Sequence, residues 1–211
     1  RSIGDKRLEG YSLYFFAAVN QMTGDLESAY QIAHQVLEIF EVLKDDSGIM
    51  GAYDILGKIT FRQEDYEQAT VWFEKDMILA QTFGQMSHVA RNYSLQGRIS
   101  LARKDYSRAR LLIVKALQIY WDAGYKQLLA YPLIYIAQIF AYQNQLEKAV
   151  ELRAAIDKYM FPAIEGDKTV QGLRERLETQ MEPEHFAAAW ARGEKREMSG
   201  VVRELLKELS S

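Results

Sequence analysis

One spacing constrains this chain more than any other feature. The segments Gly24-Asp25-Leu26-Glu27-Ser28-Ala29, Glu64-Asp65-Tyr66-Glu67-Gln68-Ala69, Lys104-Asp105-Tyr106-Ser107-Arg108-Ala109 and Asn144-Gln145-Leu146-Glu147-Lys148-Ala149 align with their alanines at a constant interval of 40 residues. A repeat without slippage restricts the fold to stacked, near-identical units, because each unit buries its apolar face on its neighbours. Other columns keep the register. Twelve residues before each alanine stands a small residue: Ala17, Gly57, Gly97 and Ala137. Sixteen before stands a large one: Leu13, Tyr53, Tyr93 and Leu133. Eight after come Leu37, Met77 and Leu117, and then Asp157, which breaks the column.

Two antiparallel helices approach closely only where side chains are small, so the small residue and the alanine mark a crossing within a helical hairpin. Asp25, Asp65 and Asp105 suit the N-cap of each second helix, with Asn144 and Glu147 in that role in the last unit. Gly84 and Gly124 suit left-handed C-terminal caps. The spacing predicts helix pairs at 11–22 and 26–43, 47–62 and 66–83, 86–102 and 106–123, and 127–142 and 146–160. Pro132 forces the 127–142 helix to start late or kink.

The small-residue and alanine columns resemble the tetratricopeptide repeat. That resemblance implies an all-α chain, a right-handed α-α superhelix of hairpins with a C-terminal helical cap. The usual unit has about 34 residues. Here the helices are longer, Leu or Tyr replaces the usual tryptophan, and the closing proline is absent. After residue 160 the periodicity stops. Phe161 to Asp167 reads as a loop, followed by helices near 168–179, 183–191 and 199–209, with Pro183 in a first turn and Ser199 as an N-cap. The runs Ala149-Val150-Glu151-Leu152-Arg153-Ala154-Ala155 and Phe186-Ala187-Ala188-Ala189-Trp190-Ala191-Arg192-Gly193, then Met198-Ser199, resemble the end of the tetratricopeptide region in bacterial LuxR-type and MalT-like ATP-dependent regulators and related NB-ARC (STAND) ATPases. Arg153 departs from the glycine common there. Trp190 reads as a core residue of a capping helix. The expected organisation is the end of a truncated preceding segment at 1–9, four repeats at 10–160, and capping helices at 161–211.

Composition narrows the function classes. The 211 residues carry a net charge of −3 and no cysteine, which removes disulfides, thiolate catalysis and cysteine-based metal sites. The acidic balance gives no general attraction to nucleic acid, and no direct contact with it is expected. No apolar stretch approaches a membrane span. A cytoplasmic setting is expected. Neither a phosphate-binding loop nor a dinucleotide fingerprint occurs, so no cofactor is expected and any ATPase module of a parent protein would lie outside this chain. His34, His88 and His185 are scattered. Glu182, Glu184 and His185 stand at a helix start, where acidic residues complement the helix dipole. Asp45-Asp46 reads as a cap. No catalytic or metal-binding set emerges.

Binding is the remaining expectation. The resemblance implies a concave groove lined by the first helix of each hairpin. Carried over by register, the lining residues are Tyr11, Tyr14 and Ala18; Asp54, Lys58 and Arg62; Arg91, Ser94 and Arg98; and Tyr131, Ile134, Gln138 and Tyr142. The cations Lys58, Arg62, Arg91 and Arg98 would share that groove and suit a carboxylate, a phosphate or an acidic peptide. The expected partner is a protein, a peptide or a small anion, with self-association possible for an open stack and a structural scaffold as the alternative role.

Overall fold

The computed structural model describes residues 3–159 and 168–209. The expected loop from Phe161 to Asp167 lies outside the described residues. Among those described, all regular structure is helical: eleven α-helices, a short 3-10 turn at Lys126–Leu128, and no strand. The helices are α1 (Ile3–Thr23), α2 (Leu26–Leu43), α3 (Asp46–Arg62), α4 (Tyr66–Thr82), α5 (Met86–Ala102), α6 (Tyr106–Asp122), α7 (Ala130–Tyr142), α8 (Leu146–Tyr159), α9 (Lys168–Gln180), α10 (Pro183–Glu194) and α11 (Met198–Leu209). They fall into two compact units, Arg1–Ile99 and Ser100–Ser211.

The turns follow a strict cadence. Positive φ recurs at Gly24, Lys44, Glu64, Gly84, Lys104, Gly124 and Asn144, one such residue after each of seven successive helices. After six of them the next amide bonds back to a carbonyl five residues earlier, as in Asp65 to Thr60 and Gln85 to Ala80, while at Gly24 the glycine's own amide bonds to the Asn20 carbonyl. Gly84 and Gly124 adopt this conformation as expected. Asn144 does too, so it ends α7 and does not cap α8, which corrects the expected cap. The aspartates cap as expected: the amides of Ser28, Gly48, Gln68 and Arg108 donate to Asp25, Asp45, Asp65 and Asp105 at 3.0–3.2 Å.

One boundary differs from expectation, and one follows it. Helix α1 begins at Ile3, well before residue 11, so residues 3–10 continue into the first hairpin. Helix α7 starts late, after the 3-10 turn, which places Pro132 in its first turn where no intrahelical N–H is required. Ser199 lies inside α11, which starts at Met198, so it is not the N-cap.

In the first unit α2 packs between α1 and α3, and α3 against α4. The crossings are as tight as the small-residue columns imply. Ala17, Ala29 and Ala69 are fully buried. A Cβ at Gly57 would lie 2.3 Å from the Phe73 ring, so that ring occupies the space a side chain would need.

In the second unit α10 lies along α8, with α9 and α11 also touching it. A Cβ on Gly193 would sit 2.3 Å from the Glu151 carbonyl oxygen, so this glycine sets how closely α10 meets the α8 backbone. Arg192 reinforces the contact by donating to Glu147 and Glu151, each at 2.7 Å. The Phe-Ala-Ala-Ala-Trp-Ala-Arg-Gly segment is thus a docking motif whose working residues are Ala189 and Gly193. Trp190 is only half-buried, which corrects its expected place in the core. The two irregularities of the last repeat also explain each other. Arg153 is buried and pairs with Asp157 one turn on, the residue that broke the leucine column. Burial, and then the Arg174 charge, lowers the Arg153 pKa to about 10.

Two stability measurements check this packing. Gly193→Ala gains helix propensity but should lose about 1–3 kcal/mol in urea denaturation, because the obstacle is backbone. Asp157→Leu alone takes a carboxylate from a buried guanidinium and should cost about 3 kcal/mol, while Arg153→Met with Asp157→Leu should restore or exceed the original stability.

Candidate functional site

The first unit holds an ionic cluster within an otherwise apolar interior. Asp54 on α3 and Asp76 on α4 are 1% and 0% exposed. Moving a carboxylate out of water costs several kcal/mol unless cations and donors replace its hydration. Here they do. Lys58, one turn along α3, donates to Asp54 Oδ2 at 2.8 Å, and Arg91 Nε of α5 lies 3.3 Å from its Oδ1. Asn92 Nδ2 donates to Asp76 Oδ2 at 2.7 Å, and an Arg91 terminal nitrogen lies 3.9 Å from the same oxygen. That nitrogen also donates to His88 Nδ1 at 2.8 Å, and His88 Nδ1 stands 3.5 Å from Asp76 Oδ1. Arg91 therefore ties together carboxylates from two helices and an imidazole from its own.

The electrostatics follow from this geometry. Burial acts to raise the Asp54 pKa, but the Arg91 and Lys58 charges, the Lys58 hydrogen bond and His88 outweigh it and hold the carboxyl below its ordinary value. Tyr14 of α1 stands over Gly51, whose missing Cβ would lie 3.5 Å from the ring. Burial raises the Tyr14 pKa, and the charge of Asp54 raises it further. Not every polar atom is served. Asp54 Oδ1, Asp76 Oδ1, Asn92 Oδ1 and Ser94 Oγ are buried and accept no hydrogen bond among the described residues.

The predicted groove residues therefore divide. Tyr14, Asp54, Lys58 and Arg91 come together. Asp54, Ser94, Gln138 and Ile134 are buried, so they do not line an open surface as expected. Tyr11 keeps its exposure with its ring centroid 5.0 Å from that of Phe40, and Ala18 is half-buried. Arg62 is exposed in the last turn of α3. Arg98 lies 4.8 Å over the Phe61 ring. In the second unit Tyr131 is half-buried, and Tyr142 is exposed, stacked on Tyr106 at 5.3 Å with Arg176 over its ring. That unit also carries a cleft of about 620 Å³ lined by Ala154, Asp157, Lys158, Arg174, Trp190 and Glu194, with Arg174 stacked 4.3 Å above Trp190.

Asp76, His88 and Asn92 escaped the sequence reading. The signal for Asp76 was present: its column otherwise holds Val36, Ala116 and Ile156, all buried and apolar. Asn92 likewise shares a column with Ser12, Ala52 and Pro132. Among the described residues no group of three or more His, Cys, Asp or Glu side chains could hold a metal ion, and no helix is long and apolar enough to cross a membrane.

The fold has a solved counterpart. The chain is similar to BtubC (BKLC) from P. vanneervenii, with a TM-score of 0.59 and 16% identity over 100% of this chain and 82% of that one. At that identity the likeness concerns the fold alone. No family model and no curated protein matches the sequence.

The pH dependence of stability tests the cluster. A carboxylate with a depressed folded-state pKa adds stability above its unfolded value, near about 3.9, and loses it as pH falls through the folded value. In urea titrations the original chain should exceed Asp54→Asn in stability at pH 7, and the gap should begin to close as pH falls below about 4, the unfolded carboxyl value, and continue closing as pH falls through the lower folded value.

Proposed function

We propose that this chain is a non-catalytic binding module of the tetratricopeptide kind, a right-handed superhelix of hairpins that takes an acidic protein segment or a small anion. One observation carries this reading: two carboxylates are buried beneath Lys58 and Arg91 at positions that the other repeats fill with Tyr, Ser or apolar residues. Packing alone has no need of them, since apolar residues at such sites are usually as stabilising or more so. What they add is orientation. A cation held from below loses less side-chain freedom when it meets a ligand, so the cost of binding falls. Lys58 and Arg91 stand directly on the two buried carboxylates, and Arg62 and Arg98 lie further along the same two helices, with Arg98 over the Phe61 ring. Arginine adds paired N–H donors that match carboxylate or phosphate.

The resemblance of the closing segment supports a wider setting. We read the chain as the sensor or interaction part of a larger cytoplasmic bacterial signal-transduction or transcription regulator. Partner binding there would bias a distant effector between two states through its different affinity for each.

Fluorescence polarisation with a labelled ten-residue Glu/Asp-rich peptide and its Gln/Asn counterpart tests the site. The acidic peptide should bind at least about tenfold tighter, weaken with salt, and lose at least about tenfold with Arg62→Ala and Arg98→Ala combined, while circular dichroism stays unchanged. Equal binding of the two peptides, or full retention in the double variant, overturns the reading.

A further inference from the structure

Helix α1 carries exposed large apolar side chains on one face. Leu8, Phe15, Phe16 and Val19 are 69%, 66%, 63% and 54% exposed. These residues lie at i, i+7, i+8 and i+11 and share one helix face. The 40-residue register shows what that face is. The counterparts of Phe15 are Ile55, Leu95 and Tyr135, and those of Val19 are Ile59, Ile99 and Ile139, all at most 8% exposed. Leu56 and Ile136, counterparts of Phe16, are also buried.

Neighbouring second helices cover these faces. The first helix of a later hairpin packs against the second helix of the hairpin before it: α3 on α2, and α7 on α6. Between α4 and α5 the same contact joins Ala69 and Phe73 to Leu95 and Ile99. Helix α1 matches α7 most closely of the three. Lys6, Leu8, Tyr11, Leu13 and Ala17 recur as Lys126, Leu128, Tyr131, Leu133 and Ala137, with Phe16 and Val19 as Ile136 and Ile139. The helix covering α7 presents Ile113, Ala116, Leu117 and Tyr120 among its buried residues.

We propose that the Leu8–Phe15–Phe16–Val19 face of α1 is a docking surface for one more helical hairpin of the same register, which lays a second helix of the α6 type along α1. The occupant is a helix with small and branched residues in the Ile113, Ala116, Leu117 and Tyr120 pattern. This inference stands on the repeat register and is independent of the anion-binding reading.

The test places residues 86–125, one 40-residue stretch of the repeat, directly ahead of Lys6 of the chain, which preserves the register because Lys6 stands where Lys126 does. The fused protein should unfold in one cooperative transition at least about 5 °C above the original chain. Phe15→Ser with Val19→Ser should change the unfused chain by less than about 2 °C, since exposed positions tolerate substitution, and should abolish the gain in the fused one. An added hairpin that trypsin removes without any gain in Tm overturns the proposal. So does an unfused chain that sediments as a dimer and becomes monomeric with the Phe15→Ser and Val19→Ser pair, because a second copy would then be the occupant.

Discussion

The structure depends on the close approach of two helices at a pair of small residues. Within a hairpin this is the crossing of Ala17 with the α2 alanines, or of Gly57 with the Phe73 ring seated in its place. The same solution closes the second unit, where Gly193 lets α10 rest on the α8 backbone. Apolar burial is non-directional and would accept many arrangements. Steric clearance is directional, so these few positions decide which pair of helices meets and at what depth.

Once the crossings are set, the remaining columns can vary only within narrow volumes. That makes the ionic departures informative. Arg153 and Asp157 replace two apolar column positions and answer one another across a helical turn. Asp54 and Asp76 are joined across helices through Arg91, their common partner. A buried pair of charges contributes little net stability compared with apolar packing. Removing one member of such a pair is costly, so each charge fixes the place of its partner.

Much of the architecture was legible in the sequence because it rests on local rules. The 40-residue spacing, the aspartate caps and the glycines at 84 and 124 act within a few residues of themselves, and the helices begin and end close to where those signals stand. Pro132 was also legible, since a proline without an N–H is tolerated only in the first turn, and α7 starts late as a result. The binding surface was less so. Register placed Tyr14, Asp54, Lys58 and Arg91 on first helices, but whether a side chain faces water or a neighbouring helix depends on the rotation of each helix against its partners. Asp54 and Ser94 turned inward for that reason.

The sequence by itself determined the 40-residue period, the aspartate caps and the turns, because each follows from hydrogen bonding within a few residues. Only the tertiary structure decided that Asp76 and His88 join Asp54 through Arg91, and that Arg153 takes Asp157 as its partner. It also decided that Trp190 lines a cleft while Gly193 makes the contact, and that α1 keeps bare the face its three counterparts bury. These outcomes turn on which side chains a neighbouring helix covers. A chain specifies such coverage only through the packing of all its helices at once.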